Sequence, residues 1–436
     1  MKKEKETAQA ALNFLWQDMR SNTIPLLDSD RDLKLRTLLD RVTARLDQGS
    51  GKPPLVEASI RQMVGQLYLD IGGGPVARKH LEWALDVQRR ELGEEDPQTL
   101  ATMHSLGECL FRIAGQFSET GREASSVLDR TLELRRRVLG DDNRDTLATM
   151  RWAALAADPG SADQWFKKKE RLFAEAVETG TRKYPNDRET LWAMADYGSY
   201  LLVLSKVEQA KDVLTRCLDR CKTFDDQDPL PVLARHRLFF AYLFQNDLAG
   251  AEVVGNQALK GIRVLGNRYP FGAELIANLA RVYQMQGRWA KAAPLIDELL
   301  ATGGSAHALE LRGRALLAEK KYAQAEEPLR ESVKLNPRWW IAPGEPPGSQ
   351  RALGACLLGQ KKYADAEPLL VEGYETLKKQ LELRGNYRTP HQRLLQVETL
   401  EWLVHLYEEW GGHADDAAKW RKELEALRTS QKQNMR

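Results

Sequence analysis

Cysteine is scarce, with four residues in 436, at Cys109, Cys217, Cys221 and Cys356. Scattered in this way they make no disulfide framework. Cys217 and Cys221 lie one helical turn apart, but no His/Cys pair with ligand spacing accompanies them, so they are read as buried thiols. Long apolar runs are missing too. No stretch reaches the roughly 18 residues that a membrane span needs, and Met1–Glu6 is polar with no signal-peptide core behind it. The chain is therefore expected to be soluble. Neither sign of charge prevails, with 64 Lys+Arg against 62 Asp+Glu, so no global basic field argues for nucleic acid. The seven His form no HExxH and join no Ser/Asp constellation. No catalytic set, cofactor or metal is expected. A linker is absent as well, although a single core stops growing at roughly 250–300 residues. A solenoid resolves that conflict, because each unit touches only its neighbours.

What the chain does have is repetition. Residues 314–329 read RALLAEKKYAQAEEPL and residues 351–369 read RALGACLLGQKKYADAEPL, with a weaker copy, RVYQMQGRWAKAAPL, at 281–295. Trp289, Tyr322 and Tyr363 are aligned by these copies and stand 33 and 41 residues apart. Periods of that size mark stacked two-helix units. From Leu55 onward helical stretches come in pairs. The first helix of a unit carries a small residue flanked by large ones: Val64-Gly65 with Tyr68, Leu106-Gly107 with Leu110, Tyr197-Gly198 with Leu201, Leu279-Ala280 with Tyr283, and Leu353-Gly354 with Leu357. The second helix carries a small residue and a large one four later: Ala77/Leu81, Ala124/Leu128, Ala210/Leu214, Ala292/Ile296, Ala325/Leu329 and Ala366/Leu370. The small residue lets one backbone lie close against the next helix, and the large neighbours fill the groove beside it.

These sets resemble the tetratricopeptide repeat, with Pro337 where its closing proline is expected. The central units resemble the longer kinesin-light-chain type: Leu92-Gly93, Asp96-Pro97 and Thr99-Leu100 are echoed by Leu139-Gly140 and Thr146-Leu147, with TLATM repeated at 99–103 and 146–150 and the related Thr190-Leu191 following. The order ALNFLWQDM, LRTLLDRVTARL, PPLVEASIRQMVGQLYLDIG, together with the closing LVHLYEEWGGHADDAAKWRKEL, is similar to the region that follows the kinase domain in planctomycete-type serine/threonine kinases. The chain has no phosphate-binding glycine loop, HRD-like loop or DFG, so kinase activity does not carry over.

The resemblance implies an all-α fold, an α-α superhelix of about eight or nine helix pairs with first helices lining a concave groove. Residues 1–54 form an N-terminal helical segment, 55–431 the solenoid with its capping helices, and 432–436 a tail. Stepping from each small packing residue to the opposite face of the first helix places Gln62, Gln66, His104, Glu108, Arg112, Arg151, Trp192, His236, Phe240, Arg281, Arg314 and Arg351 on the groove. Amide, charge and aromatic groups in that mixture suit a protein partner, an extended peptide or a helix. Arg281, Arg314 and Arg351 recur on successive first helices as a guanidinium stripe, which would read an acidic partner; the competing reading pairs Arg314 with Glu310 one turn away. The function expected is a non-catalytic interaction scaffold, and the alternative is the regulatory region of a bacterial serine/threonine kinase. The location expected is cytoplasmic for a complete chain, and extracytoplasmic for a region following a kinase membrane span.

Four other stretches invite chemistry. LYLDIGGGPVA at 67–77 has dinucleotide-loop glycine spacing, but a strand must precede such glycines and Val56–Tyr68 reads as helix, so a turn between paired helices is expected. Asp28, Asp30 and Asp32 open like a calcium loop, yet Leu33 and Leu39 stand where Gly and Glu are needed, which leaves a helix N-cap cluster. Trp165-Phe166-Lys167-Lys168-Lys169 mixes rings and charge as single-strand binders do, and is read instead as lysines on an exposed helix side. Trp339-Trp340 enters the Pro-rich PGEPPG and is open to two readings, an exposed anchor or a cap between units. Trp402, Trp410 and Trp420 are expected to seal the terminal repeat.

Overall fold

The computed structural model describes residues 35–115, 118–157, 162–224, 228–266, 271–301, 306–335, 348–384 and 390–434. Among them there are nineteen α-helices and no strand. Helix α1 (Leu35–Asp47) comes first, and nine pairs follow. They are α2 (Pro54–Asp70) with α3 (Gly74–Leu92), α4 (Pro97–Ala114) with α5 (Glu119–Leu139), and α6 (Arg144–Ala156) with α7 (Ala162–Lys183). Next come α8 (Arg188–Val203) with α9 (Val207–Arg220), α10 (Pro229–Phe244) with α11 (Leu248–Leu265), and α12 (Gly272–Met285) with α13 (Trp289–Ala301). The last are α14 (Ala306–Ala318) with α15 (Tyr322–Leu335), α16 (Gly348–Gly359) with α17 (Tyr363–Arg384), and α18 (Pro390–Glu409) with α19 (Ala414–Asn434). Trp339-Trp340, Pro337, Asp28, Asp30 and Asp32, the upstream part of the N-terminal segment and the last two residues of the tail lie outside the described residues.

The small residues do what their spacing predicts. A Cβ at Gly65 would sit 2.8 Å from Leu81, and one at Gly107 2.5 Å from Leu128. At Gly198 the distance to Leu214 would be 2.5 Å, and at Gly354 the distance to Leu370 would be 2.7 Å. Gly313 joins the set, with Leu329 seated against it. Ala77, Ala124, Ala210, Ala292, Ala325 and Ala366 are all fully buried. Each Leu is thus a knob seated on a bare glycine of its partner helix, and its burial stabilises the pair by about 1.5–3 kcal/mol.

Two turns explain the kinesin-light-chain-like spacing. Gly93 ends α3 at φ 88° and Gly140 ends α5 at φ 89°, a left-handed conformation that a side chain would strain. Three residues on, Asp96 and Asn143 cap the next helices, accepting from Gln98 N and Asp145 N, each at 2.8 Å. The stretch at 67–77 is a turn, as expected. Helix α2 ends at Asp70, Gly73 N donates to Tyr68 O at 2.7 Å, and α3 begins at Gly74.

The chain divides into two units, residues 1–197 and 198–436, with the division inside α8. In unit 1, α1 covers the first pair. Leu39, Val42 and Leu46 are buried, and its polar side is tied down by Tyr68 Oη donating to Asp40 at 2.7 Å and Arg61 donating to Asp47 at 3.0 Å. In unit 2, one apolar cluster runs from Ala325 to Leu424; Trp420 is buried in it, while Trp402 and Trp410 pack against its edge.

Candidate functional site

In unit 1 side chains from the first helices α4, α6 and α8 interlock into one wall. Arg151 on α6 sits between Trp152 and Trp192, its guanidinium carbon 4.7 Å from one ring and 5.4 Å from the other. Its Nε donates to Asp196 at 2.7 Å, and a terminal nitrogen donates to Glu189 at 3.3 Å. Arg112 on α4 pairs with Glu108 at 2.6 Å and lies 5.4 Å from the Trp152 ring. His104 meets Thr149 at 3.1 Å. Gln66 donates to Asp70 at 3.4 Å, and Gln62 accepts from Gln88 at 3.4 Å.

Electrostatics follow burial. The Glu108 carboxyl is raised above the usual carboxylate range because burial outweighs Arg112 and Arg151, with Glu189 and Asp70 adding to the effect. His104 is held down at about 3 by burial and then by Arg135 and Arg151, so it is neutral. Lys169 corrects the expectation of an exposed lysine run. It is buried, 5.0 Å from the Trp165 ring, and burial lowers it to about 8 against the pull of Asp196.

Unit 2 treats its predicted residues differently. Arg351 is 1 % exposed and donates to Leu395 O at 3.5 Å and Thr399 Oγ1 at 3.3 Å, so its guanidinium points into protein and not toward a partner. Arg314 pairs with Glu398 on α18 through two bonds of 2.8 and 2.9 Å. Glu310, buried, instead accepts from Ser349 at 3.4 Å, so the expected turn-to-turn pair does not form. Arg281 meets the His307 ring at 3.4 Å. The guanidinium stripe therefore breaks up into internal contacts. His236, fully buried, packs 5.1 Å from Phe240 and 6.4 Å from Phe271, and is held at about 3 by burial and then Arg237.

The sequence reading missed Trp152, Glu189, Asp196 and Asp70. Trp152 and Asp196 each lie two residues before their helix's packing residue, Ala154 or Gly198, while Glu189 lies nine before Gly198 and Asp70 five after Gly65. Stepping by one helical turn from the predicted positions would have found Asp70, four after Gln66. Among the described residues no group of three or more His, Cys, Asp or Glu could hold a metal ion, and no helix is long and apolar enough to cross a membrane.

The tetratricopeptide-repeat family model matches residues 278–338, which contain α12 through α15. The repeats within those residues are of the tetratricopeptide type. Among solved structures, a tetratricopeptide repeat protein of Parabacteroides merdae is similar at 16 % identity and TM-score 0.43, over 69 % of this chain and 99 % of its own. A Podosopora anserina protein with nearly identical TPR-like repeats, by its description a kinesin light chain, is similar at 18 % identity and TM-score 0.38, over 50 % of this chain and 98 % of its own. Rap protein complexed with competence and sporulation factor is similar at 11 % identity and TM-score 0.46, over 98 % of each chain. At such identities and scores no ligand or partner carries over. No curated protein matches the sequence.

Proposed function

We propose that the chain is a non-catalytic scaffold that binds a segment of another protein along its first-helix wall, and that unit 1 carries the binding surface. The supporting observation is the convergence of Glu108, Arg112, Arg151 and Trp192, from three separate first helices, on one wall of stacked rings and paired charges. Indole and guanidinium groups held rigid by their neighbours lose little entropy when a partner covers them, which is what an interface centre needs. The tetratricopeptide type of the repeats supports the same reading, since such repeats typically serve protein–protein interaction. A regulatory role beside a serine/threonine kinase rests on the sequence resemblance and would use the same wall. Arg314 and Arg351 leave the partner-binding set, and the expectation of an acidic partner goes with them.

The test is affinity capture with the intact chain, comparing wild type with Trp192→Ala and with Arg112→Glu. Proteins retained by wild type and lost from both variants, at unchanged helicity, are the expected result. Retention indifferent to both substitutions would remove unit 1's wall from the interaction.

A further inference from the structure

We propose that helix α1 is an acid-releasable cap on the first pair of unit 1, fastened by a relay of hydrogen bonds that holds only while the His80 ring is uncharged. The proposal goes beyond the scaffold reading and does not depend on the wall.

The relay has a fixed direction. Arg61 on α2 can only donate, and its terminal nitrogen lies 3.4 Å from His80 Nδ1, so Nδ1 accepts. The proton of the neutral ring is therefore on Nε2, which lies 3.0 Å from Thr43 Oγ1 on α1 and donates to it. Tyr68 Oη on α2 donates to Asp40 on α1 at 2.7 Å, which leaves its oxygen to accept from Thr43 at 3.3 Å. Four bonds in sequence thus cross from the pair to α1 and back. The same Arg61 nitrogen ties the last turn of α1 through Asp47 at 3.0 Å, while Arg61 Nε is held by Glu57 at 2.8 Å. His80 also stacks on Tyr68, with ring centroids 6.0 Å apart and 10° between the planes.

Beyond this polar seam α1 brings a single apolar stripe, Leu39, Val42 and Leu46. It joins α2 through Gly49 and Gly51, both left-handed at φ 100° and 63°. One helix on such a joint can leave without unfolding the pair behind it.

An added proton has one place to go. On Nδ1 it would face the N–H of Arg61, and two cationic donors cannot share that contact. The groups that face the ring are Arg61 and Tyr68 from α2, and Thr43 and Asp47 from α1, with Asp40 behind Tyr68 and Glu57 behind Arg61. Burial and then Arg61 hold the imidazole down at about 4, against the pull of Asp47. Release of α1 opens the ring to water and returns it to its ordinary value near 6.5, so the released state takes up the proton first. Docking is therefore at full strength above about pH 6.5 and weakens toward pH 4, roughly tenfold for each pH unit.

The experiment is hydrogen exchange on the full chain at about pH 7 and about pH 5.5, the lower value being above the ordinary carboxylate range. Protection, corrected for the intrinsic exchange rate, should fall roughly tenfold in α1 and hold in α4 and α5. His80→Gln offers an acceptor toward Arg61 and a donor toward Thr43 without taking up a proton, and should keep α1 equally protected at both pH values. A second readout is independent of that variant: nitrogen NMR of the histidine rings at neutral pH should place the His80 proton on Nε2. If His80→Gln leaves α1 unprotected throughout, the position of this proton decides. A proton on Nδ1, an α1 unprotected at neutral pH, protection of α1 indifferent to pH, or an equal fall in His80→Gln or in α4 and α5 would each overturn the proposal.

Discussion

Gly354→Leu probes the contact that sets helix spacing in the C-terminal pairs. A Cβ built at this position lies 2.7 Å from Leu370 Cγ, 2.9 Å from Leu370 Cδ2 and 3.3 Å from the Ala366 carbonyl oxygen. Leu370 and Ala366 are both fully buried, so Leu370 has little room to turn aside, and the carbonyl belongs to a helix backbone that cannot give. Overpacking of this kind costs about 1–3 kcal/mol. Replacing a helical glycine recovers about 0.5–1 kcal/mol of backbone entropy. Gly354→Ala should therefore lose about 0–2 kcal/mol, and Gly354→Leu, with three further carbons to house, about 3 kcal/mol. In a stack the damage stays close to the altered pair, so the assay is hydrogen exchange resolved by helix. Protection should fall in α16 and α17 and in the helices packed on them, α15 and α18, and hold in α2 through α5. Gly411→Ala is the control, because nothing lies within 4 Å of a Cβ there and its φ is not positive. Leu370→Ala in the Gly354→Ala background should cost less than on its own, the sign of a shared contact. Unchanged protection of α16 and α17 in Gly354→Leu would refute the packing argument.

Three further outcomes can be measured. Asp96→Ala removes the cap on Gln98 N and should destabilise unit 1 by about 1 kcal/mol in denaturant unfolding, with Asp96→Asn nearly neutral. His80 is 2 % exposed, and burial followed by Arg61 lowers it to about 4 from its ordinary value. The unfolded chain therefore takes up the proton first, so stability is constant above about pH 6.5 and falls toward pH 4 on the order of 1 kcal/mol per pH unit. His80→Gln should flatten that acid limb in Tm against pH, and an equally steep limb would contradict the assignment. Arg351→Ala should cost about 2–5 kcal/mol as a large buried side chain is lost, whereas Glu398→Gln, at a partly exposed pair, should cost at most about 1 kcal/mol; equal effects would mean that the two arginines are not differently placed.

Much of the fold is local, and local features are legible. The knobs and glycines of the pairs at Gly65, Gly107, Gly198 and Gly354 lie at fixed spacings, because a two-helix unit must bury the same stripe each time it recurs. The pair α10 with α11 escaped the pattern because its knob is reversed: Gly255 on the second helix receives Phe239 from the first. The wall was half legible. Glu108, Arg112, Arg151 and Trp192 are among the expected positions, whereas Trp152 and Asp196, two residues and so about 200° round the helix from Ala154 and Gly198, lie on the opposite face and were passed over.

The sequence by itself determined the helix pairs, their caps and glycine ends, and the face each first helix turns away from its partner, since all of these depend on residues within one or two turns. Tertiary structure alone decided what each of those faces meets. Arg281, Arg314 and Arg351 occupy comparable register, yet one meets a histidine of the next pair, one a carboxylate 84 residues away, and one is sealed beneath α18. Periodicity cannot distinguish these fates. An arginine's surroundings depend on how successive pairs stack, while the repeat itself reads the same.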